Sequence, residues 1–219
     1  MKRFLTISHF LLIAILGLSQ SNKELKKMFL DATDADQGQY VILNSGEKKE
    51  IKDLSFPAQL TSKKGRIEFA DGTDEKYDNG RIRQCQTNEG FYKLAVYMGE
   101  GFGHIAYDSA LATRMKKGAI NVYHLQMMYK DRFKNEISNA TFYFIEVDNN
   151  GRLIQLRNDP KVVDEVEGYV GKSERAKKAI AELRKRYGKP AIGFSTATKL
   201  VEAVDFYNTD FANGKLTKE

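Results

Sequence analysis

Thr141-Phe142-Tyr143-Phe144-Ile145-Glu146-Val147, followed by Asn149-Asn150-Gly151, Leu153-Ile154-Gln155-Leu156 and Asn158-Asp159-Pro160, is the stretch that decides the fold. Its first part is rich in aromatic and β-branched residues, and Phe142 to Ile145 run together without a polar break. A strand covered on both faces reads this way. Asn149-Asn150-Gly151 is a turn signal leading into a second short strand. After Asp159-Pro160 the apolar period changes from two to about 3.6, which marks a switch from strand to helix.

Upstream of this switch the chain reads as strands and tight turns from Gly38 onward. Tyr40 to Leu43 passes through Asn44-Ser45-Gly46-Glu47 toward Ile51 as a hairpin. Arg66 to Phe69 ends at Asp71-Gly72, and Arg81 to Cys85 follows Asn79-Gly80. Asn-Gly and Asp-Gly pairs tolerate the positive φ of tight hairpin turns. Phe91 to Met98, Ala119 to Met128 and Ala140 to Val147 supply the longest strands. No helix separates them, so antiparallel pairing follows, because parallel neighbours need a long crossover.

Downstream, Lys161 to Tyr169 fits a short helix. Ser173 is the expected N-cap of a helix that ends near Tyr187, with Gly188 and Pro190 as its stop. A last helix begins around Ser195 or Thr196 and sets Ala197, Leu200, Val201, Val204 and Tyr207 on one side. Apolar stripes of this kind have to be buried, most simply against the sheet. The expected fold is therefore α+β: an antiparallel β-rich region over 38–158, as a sheet or partly open barrel, then two or three packed helices over 159–211 and a polar tail at 212–219.

The first 21 residues read as an export signal. Met1-Lys2-Arg3 supplies positive charge, Phe10 to Leu18 an apolar run, and Ser19-Gln20-Ser21 the small-residue exit. Cleavage after Ser19 or Ser21 fits equally well. The run is shorter than the roughly 20 apolar residues of a membrane span, and no second apolar run follows, so no stable span is expected after cleavage. Residues 22–37 read as a short helix or loose arm. The expected location is the periplasm, cell surface or extracellular medium.

Cys85 is the single cysteine. An intramolecular disulfide is excluded, and the residue reads as a small core side chain on a strand. Loss of Lys2 and Arg3 with the leader would lower the formal charge from +6 to +4. The excess is concentrated between Lys172 and Lys189, which carries eight basic and two acidic residues. Ala176, Ala179, Ile180, Leu183 and Tyr187 form an apolar stripe there, so the cations form the solvent face of an amphipathic helix. No aromatics interleave with them to stack bases, and no nucleic-acid partner is expected. Lys178, Lys185 and Arg186 are the candidate anion-binding residues, with an anionic glycan as the ligand class.

Gly99-Glu100-Gly101-Phe102-Gly103-His104 brings glycines close together without the spacing of a dinucleotide or phosphate loop, and reads as a strand connection or bulge. Phe102, His104 and Tyr107 are candidate ligand contacts beside it. His104 and Asp108 are the candidate catalytic pair, because a carboxylate can fix a histidine tautomer and raise its basicity. His124, between Tyr123 and Leu125, reads as a structural histidine. No metal-ligand spacing and no nucleophile elbow is present, so neither a metal nor another cofactor is expected. Asp71, Asp74, Glu75 and Asp78 read as a solvent-facing turn whose spacing does not fit an EF-hand loop. Asn139-Ala140-Thr141 matches the N-glycosylation acceptor pattern, and Asp108-Ser109-Ala110 resembles a short bacterial O-glycosylation acceptor.

Several of these pieces together resemble an uncharacterised group of exported proteins abundant in Bacteroidetes. They are the polar hairpin at Gly38 to Lys52, the strand at Gly65 to Phe69, Lys117-Gly118-Ala119-Ile120-Asn121-Val122-Tyr123, Phe142 to Glu146, and the helical end closing on Tyr207-Asn208. The glycine- and alanine-rich stretch from Gly99 to Ala112 departs from that pattern. The resemblance implies an envelope or secreted location and carries no catalytic residues. The functional expectation is a noncatalytic binding or interaction module, with another envelope protein as a candidate partner. The competing expectation is a small periplasmic hydrolase using His104 and Asp108.

Overall fold

A computed structural model describes residues 38–56, 64–101, 104–131, 136–147, 152–185 and 193–216. The expected leader at 1–21 and arm at 22–37 lie outside these residues. Among the described residues ten antiparallel strands come first: β1 (Tyr40–Leu43), β2 (Lys48–Ser55), β3 (Lys64–Phe69), β4 (Asp74–Asp78), β5 (Ile82–Gln86), β6 (Phe91–Gly101), β7 (His104–Lys116), β8 (Ile120–Asp131), β9 (Glu136–Val147) and β10 (Ile154–Leu156). Three helices follow: α1 (Pro160–Val170), α2 (Glu174–Arg184) and α3 (Gly193–Ala212). The fold is α+β with the β region first, as the change of period predicts.

The strands form one sheet in the order β10-β9-β8-β7-β6-β5-β1-β2-β3-β4. It is not flat. Two long hairpins, β6–β7 and β8–β9, pair along their whole lengths, but β7 and β8 join only at Thr113↔His124, Arg114↔Tyr123 and Lys116↔Val122. A register shift between Arg114 and Lys116 interrupts this junction. Irregularities of this kind bend a strand and increase its twist. The sheet consequently folds over, bringing the inner face of β6–β7 against that of β8–β9.

This folding produces three apolar clusters. The first lies among β1–β5 and the outer face of β6–β7 and includes Val41, Ile67, Tyr77, Ile82, Cys85, Tyr92 and Leu111. The second lies between the two hairpins, with Phe91, Ala95, Ala110, Ala112, Tyr123, Leu125 and Phe144. The third packs α1–α3 on β8–β10 through Val122, Ile145, Ile154, Val163, Ile180 and Leu200. The joined ends of the long hairpins are thus covered on both sides, whereas Val96 farther along β6 is exposed. This explains why Phe142 to Ile145 lack alternation: Phe144 faces the inner cluster and Ile145 the helices.

Local signals account for the element ends. Asp159 caps α1 by accepting from the Lys161 amide at 3.0 Å, with Pro160 in the first turn. Ser173 caps α2 by accepting from the Ala176 amide at 3.3 Å. Gly72 has φ +85° in the β3–β4 turn, as the Asp-Gly pair predicts. Two segments differ from expectation. Asn79-Gly80 lies in a single 3-10 turn rather than a hairpin turn. Asp74–Asp78 is strand β4 instead of a loop, because Tyr77 is buried while its neighbours stay outside, an alternation that charge density hides. The Gly99–Ala112 stretch belongs to the β6–β7 hairpin, whose ladder reaches Gly101↔His104.

Candidate functional site

The inner face carries a buried charged cluster at the end where the hairpins join. Lys93 on β6, Arg114 on β7, Asn121 and Tyr123 on β8 and Glu146 on β9 are each no more than 6% exposed. Lys93 donates to Glu146 Oε1, and Tyr123 donates to Glu146 Oε2 at 2.7 Å. Asn121 Nδ2 reaches the same oxygen at 3.4 Å. Arg114 stacks its guanidinium over the Phe91 ring, 4.1 Å from the centroid. Every member sits on an inward position of its strand, so the pleat converges the five side chains.

Burial is the largest influence on the Glu146 carboxyl and by itself pushes its pKa up. Hydrogen bonds from Lys93 and Tyr123, with the Lys93 charge and Asn121, outweigh burial and hold the carboxyl below its usual range. Burial first, and then the Glu146 carboxylate, push the Tyr123 hydroxyl well above its ordinary value. At neutral pH the arrangement is an ammonium and a phenol donating to one carboxylate. It fixes donors and acceptors in position inside an apolar shell. Beside it, Gln86 donates from Nε2 to the Thr87 carbonyl at 3.2 Å. Its Oε1 is 3% exposed with the residue and has no partner among the described residues.

Toward the other end of the inner face the lining becomes apolar. Small Ala95, Ala110 and Ala112 lie among Tyr97, Leu125 and Phe144, and Tyr97 packs on Phe142 with ring centroids 5.2 Å apart. The open side is tied across by Gln155 of β10. Its amide accepts from the Met98 N–H at 2.8 Å and donates to the Met98 carbonyl at 3.1 Å.

The residues singled out from sequence are not members of the charged cluster. His104, Tyr107 and Asp108 occupy β7 opposite Gly101, Met98 and Tyr97, and their side chains lie outside the described residues, as does the whole of Phe102. Four residues of extended strand put the Cα atoms of His104 and Asp108 about 13 Å apart. Lys178 on α2 and Lys185 at its C-terminal cap are exposed, while Arg186 lies outside the described residues. Neighbouring cations on that helix are engaged: Arg184 pairs with Asp164 and Glu167, Lys177 with Glu174, and Arg175 with Asp210. His124 is half-buried, and burial lowers its pKa. Cys85 is fully buried on β5, and burial pushes its thiol up. Among the described residues no group of three potential metal ligands is found, and no helix is long and apolar enough to cross a membrane.

Sequence reasoning passed over Lys93, Arg114 and Glu146. The available signal was period two: Phe91, Lys93, Ala95, Tyr97 and Phe142, Phe144, Glu146 each place a charge on an otherwise apolar face. A groove of about 440 Å³ lies outside the cluster, between Met115–Lys117 and α3. The Lys116–Asp205 ion pair lines it, and Asn208 there is committed to the backbone of Ile120. No family model matches the chain, and no curated protein or solved structure does either.

Proposed function

We propose that this chain is an exported bacterial envelope protein that acts by binding, within the uncharacterised Bacteroidetes group it resembles, and that the inner face of the folded sheet is its recognition surface. One observation carries the reading. The buried face between two hairpins combines aromatic and alanine lining with a prearranged cluster of donors and acceptors. Mostly apolar concave walls with a few convergent polar groups are the chemistry of ligand recognition. Export rests on the leader, with its basic start, apolar run and small-residue exit.

Native mass spectrometry of the protein taken from the envelope fraction of its own host tests both parts. The expected species begins at residue 20 or 22 and carries a bound molecule or partner that Tyr97→Ala loses. Full-length chain recovered from the cytosol overturns the export reading. Mature chain free of any companion, or a companion retained by Tyr97→Ala, overturns the recognition surface.

A further inference from the structure

The strands around the inner face are joined unequally. β8–β9 pairs without interruption from Ile120↔Val147 to Asp131↔Glu136, and β6–β7 from Tyr92↔Thr113 to Gly101↔His104. Between β6 and β10 there is no backbone ladder among the described residues. Among the described residues that seam is closed by side chains alone. The Gln155 amide takes the place of a facing strand at Met98, and Arg157 donates to the Met98 sulfur at 3.2 Å. β10 itself holds only three rungs on β9, at Ile154, Gln155 and Leu156. On this same flank, opposite β7, β6 pairs with β5 only at Phe91, Tyr92 and Lys93, and beyond that short ladder Met98 meets Gln155 instead of a strand.

We propose that the β6–β10 seam is a gate: it opens locally, without unfolding of the rest of the molecule, and exposes the inner face. Regions that open first are those with few backbone hydrogen bonds and short ladders. The seam combines both, while the clusters on either side are anchored by β1–β5 and by the helices. Gln86, paired across the ladder with Phe91 of the inner face, carries a buried side-chain oxygen with no partner among the described residues. Admission of a ligand as the purpose of the gate rests on the proposed binding function. The opening itself does not, and it can be measured with no ligand present.

The molecule contains its own control. Cys85 is fully buried in the first apolar cluster, away from the inner face, so its reaction with a thiol reagent reports global unfolding. Ala112→Cys places a second thiol at a fully buried inner-face position, and Ala95→Cys repeats the test if that variant does not fold. The inner-face thiol is expected to react at least tenfold faster than Cys85. Adding Gln155→Ala should accelerate it about tenfold more, the equivalent of about 1.4 kcal/mol, with Cys85 unchanged. Equal rates for the two thiols overturn the gate. So does acceleration of both thiols together, or an inner-face rate indifferent to Gln155→Ala.

Discussion

Glu146 accepts from Lys93 and Tyr123 where water is excluded, so deleting its charge leaves an ammonium buried without a counter-ion. Breaking one side of such a pair costs about 3–5 kcal/mol, whereas replacing both partners by apolar side chains is often neutral. Glu146→Gln should therefore lower the stability measured by urea unfolding by about 3 kcal/mol. Lys93→Met combined with Glu146→Leu should recover most of that loss, and a double-mutant cycle reads the coupling. The same contacts set a pH dependence. The carboxyl is held below its unfolded value, so its contribution is complete above about pH 4.3 and is lost as pH falls through the folded value. His124 is also depressed, by burial, so the unfolded state takes up its proton first and stability starts to decline below about pH 6.5. Urea midpoints measured between pH 7 and pH 3 should show two successive declines, and His124→Gln should remove the earlier one.

At the level of elements, side-chain amides dock pieces that have no shared ladder. Asn208 of α3 accepts from the Ile120 amide at 3.0 Å and donates to the Ile120 carbonyl at 2.8 Å, tying the helix to the first residue of β8. Gly118 allows this approach, because a Cβ there would come within 2.7 Å of the Asn208 amide. Two different substitutions should therefore have related effects. Asn208→Leu leaves two backbone groups of a buried residue without partners, and Gly118→Ala displaces the amide that serves them. Each is expected to destabilise by about 1–3 kcal/mol, and the double variant by clearly less than the sum, measured by thermal unfolding. Additive losses would mean that the glycine and the amide do not act on one contact.

Across the whole molecule, the three apolar clusters lie in succession, with the β6–β7 and β8–β9 hairpins serving as shared walls. A cavity made in one cluster should weaken its walls before the distant layer. Ile67 sits in the first cluster and Val163 in the third, and both are at most 1% exposed. Ile67→Ala should lower the overall stability by about 2–5 kcal/mol. Hydrogen exchange should then find β2–β4 opening more readily than α1 and α3. Uniform acceleration of exchange along the chain would show the three layers to be a single cooperative unit.

Except for β4 and β7, the strands, with the turn at Gly72, the cap at Ser173 and the position of the β-to-α switch, were legible in the sequence, because each depends on neighbours a few residues away. The burial of both faces at Phe142 to Ile145 was legible for the same reason. Strand β4 was missed because four charged residues surround the one that matters, Tyr77. The charged cluster was missed on different grounds: Lys93, Arg114, Tyr123 and Glu146 lie up to 53 positions apart, and only the fold brings them together. Local sequence decides backbone conformation through sterics, capping and period, and these determined the elements and their order. Which face turns inward, which charges meet and where the sheet is left without a ladder depend on how hairpins distant in the chain pack, and that only the tertiary structure decided.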